Sequence, residues 1–306
     1  MGPAHGNPYS EENGQVVASG DFHTHTLHSD GILNPTEVVK RAAANGVRIL
    51  AVTDHDTTDG LAEADEAARA AGVRLIAGVE LSADGNDGSD YHLLGYFPSV
   101  AATLSNSSFQ SQLQSYRDGR QLRGRLMLER LAALEMPLEW DRVLAIAGEA
   151  AVSRPHVAQA LIERGYASSV RDAFDRFLHD GGPVAAKREK LPPHGAIKLI
   201  SAAGGAAVLA HPCFLPEPEA AVSELRQAGL TGVEVYYKNL GPEEVERFAT
   251  LATESRLIAS GGSDYHGIHD DEREPGDITF ENARVNEFVT GLEAQWRATR
   301  KSEQVR

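Results

Sequence analysis

The chain has 306 residues, of which 42% are hydrophobic and 24% are charged, and its formal net charge is −15. This composition suits a globular protein with one large domain, or one domain and an insert, that can bury a sizeable core. The acidic charge argues against binding of duplex nucleic acid through a broad basic surface, but it does not exclude a small phosphorylated substrate. A single cysteine, Cys213, excludes a disulfide within the chain.

The first 15 residues are polar and lack the apolar centre of a signal peptide. We therefore expect the segment 1–15 to be a disordered leader. No apolar run in the sequence approaches the length of a transmembrane helix. Together these features predict a cytoplasmic protein that does not bind membranes, and they leave the oligomeric state open.

Short apolar runs alternate with helical stretches in the first third of the chain. Asn34 has the features of an N-cap, Pro35 those of a first helical residue, and Gly46 those of a helix stop. The alternation predicts βα units and a parallel or mostly parallel sheet. The predicted strands here are 16–25, 47–53, 73–81 and 92–97, and the predicted helices are 35–45 and 61–71.

The pattern changes between residues 105 and 190, where strand signals are almost absent and helical patterns cover 110–134, 141–147, 155–164 and 170–179. The alternation then resumes. Its predicted strands are 206–210, 232–237 and 257–261, and its predicted helices are 194–203, 217–228, 242–254 and 285–300. We therefore predict a discontinuous barrel domain, 16–104 and 191–300, interrupted by a mostly helical inserted subdomain, 105–190.

Histidines and acidic residues stand where the predicted strands end. Alternate residues of a strand point to the same face, so His23 and His25 can face one point in space, with Asp30 in the loop that follows. In closed βα barrels the carboxyl ends of the strands converge on one face of the barrel. Nine potential metal ligands occupy such positions: His23, His25, Asp30, His55, Glu80, His92, His211, Asp264 and His266.

Nine ligands are too many for one ion, because a catalytic site uses about three protein ligands and one open position. The set suits two or three divalent ions that share at least one bridging carboxylate. Imidazole and carboxylate groups without thiolate are typical ligands of manganese, iron or zinc. The residues do not choose among these metals, and manganese is our first expectation.

The motifs that carry these ligands resemble those of the PHP (polymerase and histidinol phosphatase) superfamily of metal-dependent phosphoesterases. They follow the order of the family and no ligand position departs from its pattern. The motifs are Asp21-Phe22-His23-Thr24-His25, Ser29-Asp30-Gly31, Thr53-Asp54-His55-Asp56, Gly78-Val79-Glu80, His92, Ala210-His211-Pro212 and Gly262-Ser263-Asp264-Tyr265-His266. The resemblance implies an α/β fold, a distorted (β/α)7 barrel. The helical insert between His92 and His211 resembles the nucleotide phosphatase and 5′-3′ oligoribonuclease branch.

The resemblance also implies three metal positions. The first ion would be held by His23, His25, Glu80 and Asp264, the second by Glu80, His92 and His211, and the third by Asp30, His55 and His266. A hydroxide that bridges two ions near Glu80 would attack the phosphorus atom. The candidates for the general acid that protonates the leaving oxygen are Asp54, Asp56 and His266.

The insert is expected to bind the substrate. Ser153-Arg154-Pro155-His156 opens a predicted helix, and an arginine beside the free N–H groups of a helix start is a natural phosphate-binding arrangement. We predict that Arg154, His156 and Lys187 contact the substrate. Four further arginines could form either a phosphate track or a solvated helix face: Arg117, Arg120, Arg123 and Arg125.

Three functions compete. The favoured one is hydrolysis of phosphate esters in 5′-nucleotides such as AMP, in 3′,5′-bisphosphonucleotides, or in short oligoribonucleotides from the 5′ end. The alternative is a phosphatase that resembles histidinol phosphatase or acts on sugar phosphates. The third is a catalytically silent metal-binding module, against which the retention of all nine ligands argues.

Overall fold

A seven-stranded sheet forms the centre of the molecule. The computed structural model describes residues 19–85, 88–148, 150–179, 181–186, 191–238, 240–268 and 272–304. The strands pair in chain order, and the Phe22 amide donates a hydrogen bond of 3.1 Å to the Gly261 carbonyl, so that the first and last strands meet and the barrel is nearly closed. The strands are β1 Gly20–Asp21, β2 Ile49–Val52, β3 Arg74–Asp84, β4 Asp90–Phe97, β5 Ala206–Leu209, β6 Gly232–Tyr237 and β7 Ile258–Gly262.

Helices surround this barrel and fill the segment between β4 and β5. The helices of the described residues are α1 Pro35–Ala44, α2 Leu61–Ala71, α3 Val100–Ser105, α4 Ser107–Ala133, α5 Trp140–Ala147, α6 Arg154–Glu163, α7 Val170–Ala173, α8 Pro193–Ala202, α9 Pro218–Gln227, α10 Pro242–Glu254 and α11 Asn282–Gln304. A π-helical turn, Phe174–Leu178, continues α7, and a 3₁₀ turn, Pro212–Phe214, follows β5. Among the described helices, none is long and apolar enough to span a membrane.

The first helix begins where its sequence indicates. The Asn34 side chain accepts a hydrogen bond of 2.8 Å from the Glu37 amide, and the Glu37 carboxylate accepts one of 3.0 Å from the Asn34 amide. These two reciprocal bonds satisfy donors that the first helical turn otherwise leaves without partners. Pro35 follows at the first helical position, as predicted.

The predicted α/β class and distorted (β/α)7 barrel with helical parts are confirmed. One strand departs from the parallel arrangement, because β4 runs antiparallel to both β3 and β5. A short connection joins β3 to β4, and short connections link only antiparallel strands. The helix α3 was not predicted, and the expected leader 1–15 lies outside the described residues.

Two hydrophobic clusters stabilise the fold, one inside the barrel wall and one within the helical segment. Helix α4 belongs to both, because Phe109 and Leu113 pack in the barrel cluster and Met127 and Leu131 pack in the second cluster. A single helix therefore connects the barrel to the helical segment. The domain boundaries at 105 and 190 stay a prediction.

Candidate metal centre

The nine predicted ligands converge at one rim of the barrel. Parallel strands deliver their carboxyl ends to this rim, and Glu80 near the end of β3 lies beside His55 in an isolated parallel bridge. His92 stands near the start of β4, opposite Ser82. Because β4 runs in reverse, its amino end shares the rim with the carboxyl ends of its neighbours.

The first group consists of two imidazoles and two carboxylates. His23 Nε2 lies 3.2 Å from Glu80 Oε2 and 3.4 Å from Asp264 Oδ1. His25 Nε2 lies 3.1 Å and 3.2 Å from the same two oxygens. Ligand bonds of about 2.0–2.2 Å in a tetrahedral site separate neighbouring ligand atoms by about 3.3–3.6 Å, and these four nitrogen–oxygen distances are close to that spacing. One ligand atom from each of His23, His25 and Asp264 lies within 4.8 Å of the others.

Glu80 also faces a second group with its other oxygen. Its Oε1 atom lies 2.9 Å from His92 Nδ1 and 3.2 Å from His211 Nε2. On the Oε2 side, His55 Nδ1 approaches to 3.2 Å. The two oxygens of one carboxylate thus face different sets of imidazoles, which is the arrangement of a bridging ligand.

A third group surrounds Asp30. Its Oδ1 atom lies 3.3 Å from His266 Nε2 and 3.7 Å from His25 Nδ1, and its Oδ2 atom lies 3.7 Å from His55 Nε2. One ligand atom from each of these four residues lies within 4.8 Å of the others. The spacing is wider than in the first group.

Several atoms at the centre of these groups are buried without a hydrogen-bond partner among the described residues. They are His23 Nε2, His25 Nε2, Asp30 Oδ1, His55 Nδ1 and Glu80 Oε2. A buried polar atom without a partner costs about 1–3 kcal/mol, and native proteins contain few of them. Their concentration at one point, with only nitrogen and oxygen donors, fits the requirements of divalent ions.

The charges of the centre are strongly coupled. Burial alone would raise the pKa of Glu80, but the imidazoles of His55, His23 and His92 hold it well below its ordinary value. Burial alone would lower the pKa of His23, but the carboxylates of Glu80, Glu234 and Asp264 raise it well above its ordinary value. Burial dominates at His55 and lowers its pKa to about 3. Glu80 therefore stays negatively charged and the His55 ring stays neutral, as ligands of a metal ion must be.

One buried carboxylate of the centre was missed by the sequence analysis. Glu234 Oε1 lies 3.0 Å from His23 Nδ1, and Glu234 Oε2 accepts a hydrogen bond of 2.7 Å from the His211 amide. Glu234 is wholly buried in β6, whose every residue is buried. A glutamate inside the apolar run Gly232–Tyr237 was the signal that could have identified it.

Two further residues that were missed hold Asp264 in place. The Tyr237 hydroxyl donates a hydrogen bond of 2.8 Å to Asp264 Oδ2. Lys238 Nζ donates to the Asp264 carbonyl at 2.6 Å and lies 3.2 Å from Oδ2. Their position directly at the end of β6 was the only signal in the sequence.

The backbone is strained at the rim. The backbone φ angles of Asp56, His211 and Asp264 are 54°, 27° and 48°. Residues other than glycine rarely adopt such positive angles. At Gly262 a Cβ atom would lie only 2.2 Å from the Cβ atom of His23. The close approach of β7 to the first strand thus requires glycine at this position.

Two of the three candidates for the general acid are engaged in other contacts. The Asp54 carboxylate accepts hydrogen bonds of 2.7 Å from both the amide and the hydroxyl of Thr26, and one of 2.6 Å from the Ser29 hydroxyl. Asp54 therefore anchors the loop that carries Asp30. Asp56 accepts a bond from the Ser82 amide and pairs with an arginine of α4. The third candidate, His266, lies within the cluster beside Asp30.

Among the four arginines of α4, Arg120 is buried and Arg117 is mostly covered by the barrel, whereas Arg125 is exposed. The Arg120 guanidinium is buried, with Nη2 2.7 Å from Asp56 Oδ2 and 3.0 Å from the Ser82 hydroxyl. Arg117 donates to Asp59 at 2.7 Å, and Arg125 stacks over the Trp140 ring. These three side chains attach α4 to the barrel and to α5.

Two of the predicted substrate-binding residues, Arg154 and His156, lie in the first turn of α6. His156 Nδ1 accepts a hydrogen bond of 3.1 Å from the Ser153 amide, so a neutral ring carries its proton on Nε2. Burial lowers the pKa of His156, and the nearby Asp30 carboxylate opposes this effect. Arg154 contacts the Phe174 ring and the Leu178 carbonyl. Lys187 lies outside the described residues.

The comparisons with known proteins agree with this geometry. The family model of the PHP domain matches residues 21–180. The chain belongs to the PHP family. It is 35% identical over 272 residues to the 5′-3′ exoribonuclease Rnm of Salmonella typhimurium, with 85% of this chain and 89% of the relative covered. A 3′,5′-nucleoside bisphosphate phosphatase of Chromobacterium violaceum is 33% identical over 265 residues, with 85% of this chain and 91% of the relative covered.

A solved structure has the same PHP fold. It belongs to a protein of Bifidobacterium adolescentis that is assigned as a metal-dependent phosphoesterase, and it matches with a TM-score of 0.78 at 30% identity over 90% of this chain and 97% of the other. The predicted family and enzyme class are thereby confirmed, and the protein is a metal-dependent phosphoester hydrolase. The family and the clusters of candidate ligands support divalent metal ions as its cofactors.

Proposed function

We propose that this PHP protein hydrolyses phosphate esters of nucleotides. The substrates would be 5′-nucleotides such as AMP, 3′,5′-bisphosphonucleotides, or short oligoribonucleotides attacked from the 5′ end. The observation that carries the proposal is Glu80, whose two oxygens face separate imidazole groups at the rim. The names of the two relatives, a 5′-3′ exoribonuclease and a bisphosphate phosphatase, support the nucleotide class.

We assign the nine converging residues as the metal ligands. As the family resemblance implies, His23, His25, Glu80 and Asp264 would hold the first ion, Glu80, His92 and His211 the second, and Asp30, His55 and His266 the third. The interatomic distances also group Glu80 with His23 and His211, and Glu80 with His55 and His92. We expect two or three divalent ions, with manganese first and iron or zinc as alternatives. Such ions, when bound, neutralise charge on phosphoryl oxygens and lower the pKa of water.

The residues of the chain orient the phosphate around this centre. Lys238 presents a positive charge beside Asp264, and its side chain is 17% exposed, so it can attract a phosphate oxygen. His156 carries an Nε2 proton and lies within electrostatic reach of Asp30. Both groups can donate hydrogen bonds to an anion at the rim.

The leaving oxygen also requires a proton. The Asp54 and Asp56 carboxylates are engaged in hydrogen bonds of 2.6–3.1 Å to loops and to Arg120. We therefore assign the role of general acid to His266, whose side chain is 16% exposed at the rim. His266 would have this role in the protein with two ions, in which no third ion is bound to its ring. The nearby Asp30 carboxylate raises the pKa of His266, although burial opposes this.

We further propose that the segment 105–190 recognises the substrate and that the barrel, 16–104 and 191–300, performs the chemistry. Arg154 at the first position of α6 and His156 two residues later in the same turn would contact the phosphate or sugar. We propose Lys187, which was predicted from the sequence, as a third residue that contacts the substrate. The net charge of −15 argues for a small substrate held at the centre and against duplex nucleic acid.

Substrate profiling tests the function. Metal-free protein is reloaded with Mn²⁺, Fe²⁺ or Zn²⁺ and assayed on AMP, adenosine 3′,5′-bisphosphate, a 5′-phosphorylated trinucleotide, histidinol phosphate and ribose 5-phosphate. We expect the highest kcat/KM on one of the three nucleotides. Higher kcat/KM on histidinol phosphate or ribose 5-phosphate would support the alternative phosphatase, and inactivity on all five substrates would support the silent module.

Two variants test the assignment of ligands in the same assay. His25→Ala and Asp264→Ala remove ligands of the first ion, so we expect loss of hydrolysis and a lower ratio of bound metal to protein. Glu243→Ala, on the exposed surface of α10, is the control and keeps both. Full activity in either ligand variant would overturn the assignment.

A further inference from the structure

An exposed aromatic ring lies at the rim of the metal centre. Phe214 is 68% exposed, three residues after the proposed ligand His211. Its ring centroid lies 5.3 Å from that of His211 and 5.8 Å from that of Tyr237. The ring is thus adjacent to the phosphate-binding end of the site and open to solvent on much of its surface.

The backbone holds this ring in position. The Phe214 amide donates a hydrogen bond of 3.1 Å to the His211 carbonyl, and the Leu215 amide donates one of 3.0 Å to the Pro212 carbonyl. Pro212 fixes one backbone angle of the turn, and the Leu215 side chain is buried in the barrel cluster. The turn therefore buries the leucine and presents the phenylalanine outward.

We infer that Phe214 is a stacking surface for the base of the nucleotide whose phosphate is hydrolysed. This inference rests on the proposed function. The ring stands beside His211, which we assign as a ligand of the second ion, with the two ring centroids 5.3 Å apart. Aromatic rings bind every nucleobase through its π face, without reading its hydrogen-bonding edge.

The stacking role has a consequence for specificity. Because each base offers a π face, Phe214 favours nucleotides over sugar phosphates but discriminates weakly among the four bases. The Phe214 side chain contributes to the binding affinity for the base, which is the part of the nucleotide that does not react. It is therefore a specificity-determining residue and leaves the chemical step to the metal centre.

A steady-state comparison of three substrates tests the inference. AMP and uridine 5′-monophosphate carry a base, and ribose 5-phosphate lacks one. For Phe214→Ala we expect kcat/KM to fall by about 5- to 150-fold on the two nucleotides, mainly through KM, and to stay unchanged on ribose 5-phosphate. Phe214→Trp restores the preference for nucleotides, whereas Phe214→Leu, which keeps apolar bulk without a π face, does not.

Leu122→Ala is the matched control, because Leu122 is a comparably exposed apolar residue, 61% exposed, on α4. Its kinetics should equal those of the unmodified protein on all three substrates. Equal losses for Phe214→Ala on nucleotides and ribose 5-phosphate, or no loss on either, would overturn the inference while the proposed function stands. If the unmodified protein hydrolyses ribose 5-phosphate but not the nucleotides, the proposed function fails and the inference fails with it.

Discussion

Glu234 holds His23 from the side opposite the metal centre. The carboxylate accepts the Nδ1 proton of the ring at 3.0 Å, which fixes the tautomer and leaves Nε2 free to bind an ion. The other oxygen of the same carboxylate accepts the backbone amide of His211. One buried side chain therefore positions ligands that we assign to two different ions.

Glu234→Gln tests this relationship. The variant keeps the shape of the side chain but replaces one acceptor oxygen by an NH₂ donor. This donor then faces another donor, either the His23 ring N–H or the His211 amide, and one of the two hydrogen bonds is lost. Loss of such outer contacts lowers metal affinity by about 10- to 100-fold, and isothermal titration with Mn²⁺ measures this. Glu243→Gln on the exposed side of α10 is the control. Unchanged affinity in Glu234→Gln would show that His23 is oriented without it.

The buried ion pair between Arg120 and Asp56 attaches α4 to the barrel. Removing one partner of such a pair leaves the other charge buried and costs about 3–5 kcal/mol of unfolding free energy. We expect this loss for Arg120→Ala in urea denaturation. Arg171→Ala, which removes a side chain that is 92% exposed from the pair with Asp175, should change stability by less than about 0.5 kcal/mol. Similar stability of the two variants would contradict the anchoring role.

The stability of the metal-free protein should be highest close to pH 6.5, because the pKa of His55, lowered to about 3 by burial, makes stability fall as the pH drops below 6.5. The pKa values of Glu80, Asp30 and Asp264 lie well below their ordinary values of 4.5, 3.8 and 3.8, because neighbouring imidazoles overcome the effect of burial. Their contribution is present above those ordinary values and is lost as the pH falls. The pKa values of His23 and His266 are raised above 6.5 by carboxylates against the effect of burial, so their contribution is present below pH 6.5 and is lost as the pH rises.

Metal ions should reverse this trend. They bind the unprotonated forms of the same ligands, so their stabilisation grows with pH. We expect Mn²⁺ to raise Tm more at pH 8 than at pH 6, as measured by calorimetry of chelated and reloaded protein. Equal increments at the two pH values would indicate that the imidazoles do not bind the ion.

His156 allows two roles to be separated by substitution. An asparagine side chain at this position would keep an acceptor for the Ser153 amide but lose the distal N–H group, so we expect His156→Asn to fold normally and to lose about 10- to 150-fold in kcat/KM. His156→Ala loses the distal N–H group and also leaves the Ser153 amide without its acceptor, which costs about 0.5–2 kcal/mol of stability. Metal content should stay unchanged in both. Normal kcat/KM in His156→Asn would exclude a substrate contact.

The convergence of the rim residues could be predicted because it follows from local rules. Residues two apart in an extended segment share a face, which places His23 beside His25 on either side of the bridge residue Thr24. Of the strand predicted over 16–25, the described residues form regular strand only at Gly20–Asp21. The strand ends of a barrel meet at one rim, which places Glu80 near Asp264 although 184 residues separate them in the sequence. The assignment of each ligand to an ion stays a prediction.

Other features could not be predicted because they depend on distant partners. The run 90–97 carries the same apolar pattern whether the strand is parallel or antiparallel, so the direction of β4 was not evident. Arg120 and Asp56 pair across 64 residues without any local signal. Glu234 could have been identified from the sequence, because it is a charged residue within an apolar strand.

Because β4 runs in the reverse direction, α4 must bring the chain back along the barrel to the rim. The strand ends at Phe97 on the face opposite the rim, where Phe97 packs against Phe109 early in α4. The helix has 27 residues and so spans about 40 Å, which returns the chain to the rim at Arg120 and carries Met127 beyond it. If the segment 105–190 recognises the substrate as proposed, the length of α4 would set the distance between α6 and the metal centre. Deleting four residues between Arg120 and Met127 would shorten the helix by about 6 Å and so reduce this distance.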